Sequence, residues 1–169
     1  MFPRSLYALR SIRRCFVTQR YASTQNADGS PLVSYRAVDG LPGVYEVQLN
    51  RPNKANALCR RSWGALRAAF EAASAASDCR VIVLTGAGRH FTAGLDLVDH
   101  AGLLQAQGVD KPEDDAARRA FKAHKMIEDY QNAISALESC PQPIIAAVHG
   151  ACIGAGVDLI TAADVRIGR

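Results

Sequence analysis

Acidic residues are absent from the first 27 positions of this 169-residue chain, where five arginines stand: Arg4, Arg10, Arg13, Arg14 and Arg20. The formal charge of +4 is therefore local, because 15 basic and 16 acidic residues remain from Asp28 onward. A body so balanced has no electrostatic footprint for phosphate backbones, which excludes nucleic acid as a partner. Aromatics are scarce at 7%, with a single tryptophan, so the core must be built from small aliphatics. No C-x-x-C pair occurs among Cys15, Cys59, Cys79, Cys140 and Cys152, and their number is odd. Both a disulfide framework and a cysteine metal site are excluded on that pattern, and no metal is expected. Cys79, Cys140 and Cys152 flank apolar runs and read as small buried residues. Long uncharged apolar runs are also missing. The nearest, Pro143–Ala163, is broken by His149, a glycine turn and Asp158, which argues against a membrane span.

What is present divides into an address and a body. Residues 1–22 are Arg-rich, contain Ser and Thr and lack acids, as mitochondrial transit peptides do, whereas a secretory signal needs an unbroken apolar run of about seven residues. The mature chain is expected in the mitochondrial matrix, from about residue 23. With 49% hydrophobic and 21% charged residues the whole chain has the composition of a globular protein, and residues 23–169 read as one domain or part of one.

Along the body, Val33–Val38 and Val44–Leu49 alternate apolar and polar residues around Asp39, Gly40, Pro42 and Gly43, the pattern of a hairpin. A turn-rich loop, Asn50–Asn56, precedes a helix over Arg60–Ala76 with Trp63, Leu66, Phe70 and Ala73 on one stripe. Val81–Leu84 and Ile144–Val148 are short apolar runs that predict strands covered on both faces. Between them the sequence predicts a loop over Gly86–Asp96, a helix over Leu97–Leu104, a loop over Gly108–Asp115 and a long helix over Ala116–Glu138 with Ile127, Tyr130, Ile134 and Leu137 on one side. Gly150–Ala155 forms a turn, Gly156–Ala163 a helix, and Val165–Ile167 a last strand. The alternation predicts an α/β fold with parallel strands, and the stop at Arg169 just after a strand predicts a fold incomplete at its C-terminus.

Two loops carry the chemistry: Gly86–Leu97 and His149–Leu159, each running from a strand into a helix. In open α/β sheets ligands bind at the carboxyl ends of strands, and small residues there admit a ligand to the backbone. Amides at a helix start are ready donors for a developing oxyanion, and one donor from each loop suffices to hold a single carbonyl oxygen. Tight packing is an equal explanation for the glycines. Asp158 reads either as a charge complementing a helix start or as a partly buried carboxylate suited to proton transfer. Asp96 caps the helix that follows it. Asp99 and His100 read as first-turn surface residues, His149 as a satisfied core histidine and His90 as an exposed loop residue without a partner. Arg51 and Lys54 read equally as phosphate contacts and as solvated surface.

The segments Asn50–Leu58, His90–Leu97 and Pro143–Leu159 together resemble the crotonase (enoyl-CoA hydratase/isomerase) superfamily in order and spacing. The resemblance covers about residues 32–169. It implies a crotonase-like ββα spiral, a trimeric or hexameric homo-oligomer, and an acyl-CoA substrate with coenzyme A as its only nucleotide part and no further cofactor. By motif position it implies that the backbone N–H groups of Ala93 and Ala155 form an oxyanion hole, Ala155 standing where the family usually has Gly. Ala93, Gly94, Leu95, Asp96, Leu97 and Ala155 would line the substrate, with Lys54, Ala55 and Ala57 beside the coenzyme A moiety. Asp158 stands where hydratases of the family carry Glu. Its identity implies the branch that isomerises 3,5-dienoyl-CoA to 2,4-dienoyl-CoA in fatty acid β-oxidation, a branch for which a peroxisomal location is an alternative. Two further acids would come from a later segment, which implies that residues 1–169 alone are inactive.

Three other readings remain. An enoyl-CoA hydratase requires a pair of Glu, and Asp158 is one methylene shorter. A short-chain dehydrogenase fits Gly150, Gly154 and Gly156 after a strand, but only 13 residues follow Gly156 and no Tyr-x-x-x-Lys occurs. A truncated, non-catalytic isoform is the third.

Overall fold

The computed structural model of the chain describes residues 25–106 and 115–169. The leader expected over residues 1–22 and most of the loop expected over Gly108–Asp115 lie outside the described residues. β1 (Val33–Ala37) and β2 (Val44–Leu49) form the expected hairpin, paired antiparallel with Tyr35 opposite Val47. A single 3₁₀ turn at Pro52–Lys54 leads to α1 (Arg60–Ser74), β3 (Val81–Gly86) and α2 (Leu97–Ala106). α3 (Ala116–Glu138), β4 (Ile144–Val148), α4 (Ala155–Ala162) and β5 (Val165–Gly168) follow. The five strands lie in chain order, with β2, β3, β4 and β5 mutually parallel.

Helix ends follow local chemistry. The Asp115 carboxylate accepts the Arg118 N–H at 2.8 Å and caps α3. At the start of α1 Cys59 offers no side-chain cap, and Asp99 of α2 supplies it instead, accepting the Arg60 N–H at 2.8 Å. Asp99, expected to be an ordinary surface residue, thus ties two helices together.

Inward-facing Val47, Leu49, Ile82, Leu84, Ile144 and Ala146 meet Leu66, Phe70 and Ala73 of α1 and Leu137 of α3. The α1 stripe is buried as its spacing predicts. On α3 Leu137 is buried and Tyr130 and Ile134 pack against the core as predicted, together with Ala133, but Ile127 is 48% exposed. The apolar runs in β3 and β4 do not signify two fully covered faces. Burial alternates along β3, with Ile82, Leu84 and Gly86 inside and Val81, Val83 and Thr85 half-buried. Trp63 stacks on Tyr130 with ring centroids 5.0 Å apart, and His100 meets the same ring edge-on. His100 is therefore buried, not a surface residue as its first-turn position implied. Among the described residues four cysteines are free, Cys59 and Cys79 buried, whereas Cys140 and Cys152, expected to be buried, are half-buried against the edge of the core. Among the described residues no helix is long and apolar enough to cross a membrane.

Leu66 has no exposed surface, whereas Val98 is 86% exposed. Leu66→Ala is expected to cost about 3 kcal/mol of unfolding free energy and Val98→Ala less than about 0.5 kcal/mol, read from urea midpoints.

Candidate active site

Three segments leave the same edge of the sheet, because β2, β3 and β4 run parallel and adjacent. The loop after β3 lies in the middle and is laced to both neighbours. On one side Leu58 pairs with Leu95, its N–H donating to the Gly94 carbonyl at 2.7 Å while the Asp96 N–H returns to the Leu58 carbonyl at 3.0 Å. On the other side Thr92 pairs with Cys152: the Thr92 N–H donates to Ala151 at 3.0 Å and the Ile153 N–H to Thr92 at 3.1 Å. The Phe91 N–H reaches the His149 carbonyl at 2.8 Å.

Two buried polar side chains hold the lacing. The Thr92 hydroxyl donates to the Asn56 carbonyl at 2.7 Å and accepts the Gly94 N–H at 3.1 Å. Asn56 donates to the carbonyls of Ala87 and His90 and accepts the Arg51 N–H at 2.8 Å. Ala55 and Asn56 both have left-handed backbone, at φ 47° and 55°, a conformation that Asn tolerates and Ala resists. Buried hydrogen bonds offset that cost. Gly94, at φ 84°, is pressed against the other loop: a Cβ there would sit 2.5 Å from the Ile153 carbonyl oxygen and 3.5 Å from the Ala155 nitrogen. Only glycine satisfies both the dihedral and the contact.

The sequence-predicted donors differ in state. Ala155 is the first residue of α4, and its N–H has no partner among the described residues. The Ala93 N–H, expected to be free as well, donates to the Ala55 carbonyl at 2.8 Å. The loop packs closely enough on the 55–58 segment for that amide to find an acceptor within the chain. Asp158, three residues beyond Ala155 on the same face of α4, is exposed and not partly buried, because nothing among the described residues covers that face. Lys54 is exposed, Ala55 and Ala57 are half-buried, and Leu95 and Asp96 lie beside them.

Arg51 neither faces solvent nor stands ready for a phosphate. Its guanidinium pairs with Asp96 at 2.9 Å and donates to the Ala57 carbonyl. Asp96 also accepts the Asp99 N–H, capping α2 as its position predicts. Burial pushes the Asp96 carboxyl up, but the Arg51 hydrogen bond and the Asp99 amide outweigh it and the net shift is downward. Burial pushes the Cys152 thiol up, which makes it filler rather than a nucleophile. His149 donates from Nε2 to the Gly88 carbonyl at 3.0 Å, so it is satisfied as expected, but it is half-buried at the strand end and not a core residue. His90 is not an unpartnered surface residue: it is half-buried and its Nδ1 accepts the Ala151 N–H at 3.1 Å. A cleft of about 530 Å³ opens between α1 and α3, beside Arg67, Ser74 and Cys140, and takes no lining residue from these loops. Among the described residues no group of three or more side chains is placed to hold a metal.

Sequence reasoning missed Thr92 and Asn56. Their only signal was a hydroxyl amid small residues and an Asn in a turn. Both act through partners 31 to 36 residues away in the chain.

The enoyl-CoA hydratase/isomerase family profile matches residues 40–169. The mitochondrial Δ(3,5)-Δ(2,4)-dienoyl-CoA isomerase of Mus musculus is 49% identical over 124 residues, 73% of this chain and 36% of that protein. Its counterpart from Homo sapiens is 46% identical over 134 residues, 79% of this chain and 39% of that protein. A crystal structure of an enoyl-CoA hydratase/isomerase from Xanthobacter autotrophicus Py2 is similar with a TM-score of 0.65 and 28% identity, covering 81% of this chain and 45% of that one. The chain thus spans less than two fifths of the length of these two curated relatives.

Thr92→Val keeps the shape but strands the Gly94 N–H and the Asn56 carbonyl, and is expected to cost about 2–3 kcal/mol in urea unfolding. Because the Asp96 carboxyl is held below its ordinary range, its contribution is full above about pH 4 and disappears as acid protonates it in the folded chain. Asp96→Asn is expected to lower stability near neutral pH and to flatten the acid limb of the stability–pH curve.

Proposed function

The chain belongs to the enoyl-CoA hydratase/isomerase family, and from that premise we propose that it forms the acyl-CoA-binding, oxyanion-stabilising part of an isomerase that converts 3,5-dienoyl-CoA into 2,4-dienoyl-CoA. One observation carries the reading: the unpartnered Ala155 amide opens α4 beside Gly94, where two loops of small residues meet. The 46–49% identity to relatives bearing the dienoyl-CoA isomerase name supports the choice of reaction. The Arg-rich first 22 residues and the mitochondrial designation of those relatives support a mitochondrial location.

The chemistry moves one proton. It leaves C2 beside the thioester, charge spreads onto the thioester oxygen, and a proton returns at C6, so the two double bonds shift without oxidation or reduction. That balance calls for no redox cofactor. The Ala155 N–H and the start of α4 meet the developing charge, and the Ala93 N–H joins by sharing or releasing its bond to Ala55. Each such donor is worth roughly 3–4 kcal/mol in the transition state. Asp158, one turn along α4 from Ala155, takes a proton-transfer role. Exposed Lys54 meets the phosphate charge of coenzyme A, Ala55 and Ala57 lie beside that moiety, and the Ala93–Leu97 stretch lines the substrate.

Ala155→Pro deletes the one amide at a helix position that accepts proline, so the fold should survive, as circular dichroism will check. Binding of an acyl-CoA thioester, measured by calorimetry, is expected to weaken about tenfold, while free coenzyme A, which has no thioester carbonyl, binds unchanged. Equal loss for both ligands, or none, overturns the oxyanion role. Formation of the conjugated product from 3,5-dienoyl-CoA, against hydration of a 2-enoyl-CoA, separates isomerase from hydratase chemistry.

A further inference from the structure

We propose that His90 is a positioning residue: its neutral ring accepts the Ala151 N–H and so helps to hold the Gly150–Ala155 turn, and with it the Ala155 amide, against the Gly86–Asp96 loop, and that one bond is lost when the ring is protonated. The proposal draws its functional consequence from the acyl-CoA reading above, but the contact itself stands without a ligand. The Ala151 N–H donates to Nδ1 of His90 at 3.1 Å. A backbone amide only donates, so Nδ1 carries no proton and the neutral ring keeps its proton on Nε2.

The reverse contact is of the other kind. His149, at the end of β4, sends Nε2 to the Gly88 carbonyl at 3.0 Å. A carbonyl only accepts, so that bond persists whether or not the ring is charged. Each loop therefore reaches the other's backbone with an imidazole, and only the His90 contact is lost in acid. The fit is close: Gly150 has φ 59°, and a Cβ there would lie 2.4 Å from the Arg89 carbonyl oxygen and 2.8 Å from Nδ1 of His90. Arg89 is the charged neighbour on the same loop, His149 the titratable neighbour on the facing one, and Asn56, which holds the His90 carbonyl, is uncharged. Among the described residues no carboxylate pairs with the His90 ring, so the charged form gains no new partner there. Ala155 lies four residues beyond Ala151, and two backbone bonds also tie this turn to the first loop whatever the ring's charge, the Thr92 N–H to the Ala151 carbonyl at 3.0 Å and the Ile153 N–H to the Thr92 carbonyl at 3.1 Å.

Amide exchange is measured by NMR on the full chain from about pH 8 to about pH 5, with the His90 ring signals followed in the same samples so that its protonation is observed directly. In the wild type the protection of the Ala151 amide, corrected for intrinsic exchange, is expected to fall about tenfold as the His90 ring takes up its proton. His90→Asn, which offers an uncharged acceptor near the Nδ1 position, should keep the protection at every pH. His90→Phe should lose it at every pH. Protection at Ala151 that ignores the His90 titration, or that survives in His90→Phe, overturns the proposal, and if His90→Phe does not fold the wild type and His90→Asn decide it. Binding of octanoyl-CoA, followed in parallel, should weaken at low pH in the wild type and not in His90→Asn. A wild type that binds octanoyl-CoA at no pH overturns the acyl-CoA reading instead, and the exchange data still judge the histidine.

Discussion

A threonine hydroxyl with no solvent exposure joins the loops that follow three neighbouring strands. Thr92 donates to one segment through its side chain and accepts from its own loop, while its backbone pairs with the third segment. Everything at the candidate site depends on this junction, because loops alone would scatter the amides they carry. Asn56 completes it from the opposite side, with hydrogen bonds that offset two consecutive left-handed residues. An unmet buried donor or acceptor here would cost about 1–3 kcal/mol, so the pair is effectively locked into one arrangement.

The sheet explains why three loops can meet. Parallel strands place their carboxyl ends on one edge, and β2, β3 and β4 are adjacent in both sequence and space. The helices between them return over one face and bury it, which leaves the loops packed against one another as two short bridges beyond the strand ends. Small residues at Gly94 and Ala155 follow from that closeness. A larger side chain at Gly94 would push the two loops apart.

Charge plays a supporting part. Arg51 and Asp96 neutralise each other within the loop cluster, and Asp96 and Asp99 in turn cap α2 and α1. These polar groups organise backbone, and they leave the Ala155 amide without an acceptor among the described residues. Asp158 stands apart as an exposed acid on the same helix.

The elements themselves were legible in the chain. Alternation marked β1 and β2, the Trp63–Ala73 stripe marked α1, and three motifs in register marked the family and the two chemical loops. These features are local, and local spacing is what periodicity records. What the tertiary structure decided concerns partners distant in sequence. Ala93 turned out to be bonded to Ala55, Arg51 to Asp96, His90 to Ala151 and Asp99 to Arg60, while Asp158 lies exposed and His100 buried. No pattern within one segment reports which donor another segment will satisfy, because that depends on how closely two backbones approach once the sheet has formed. Residue types therefore determined which groups exist and on which element each stands, and packing decided which of them are occupied and which remain open to a ligand.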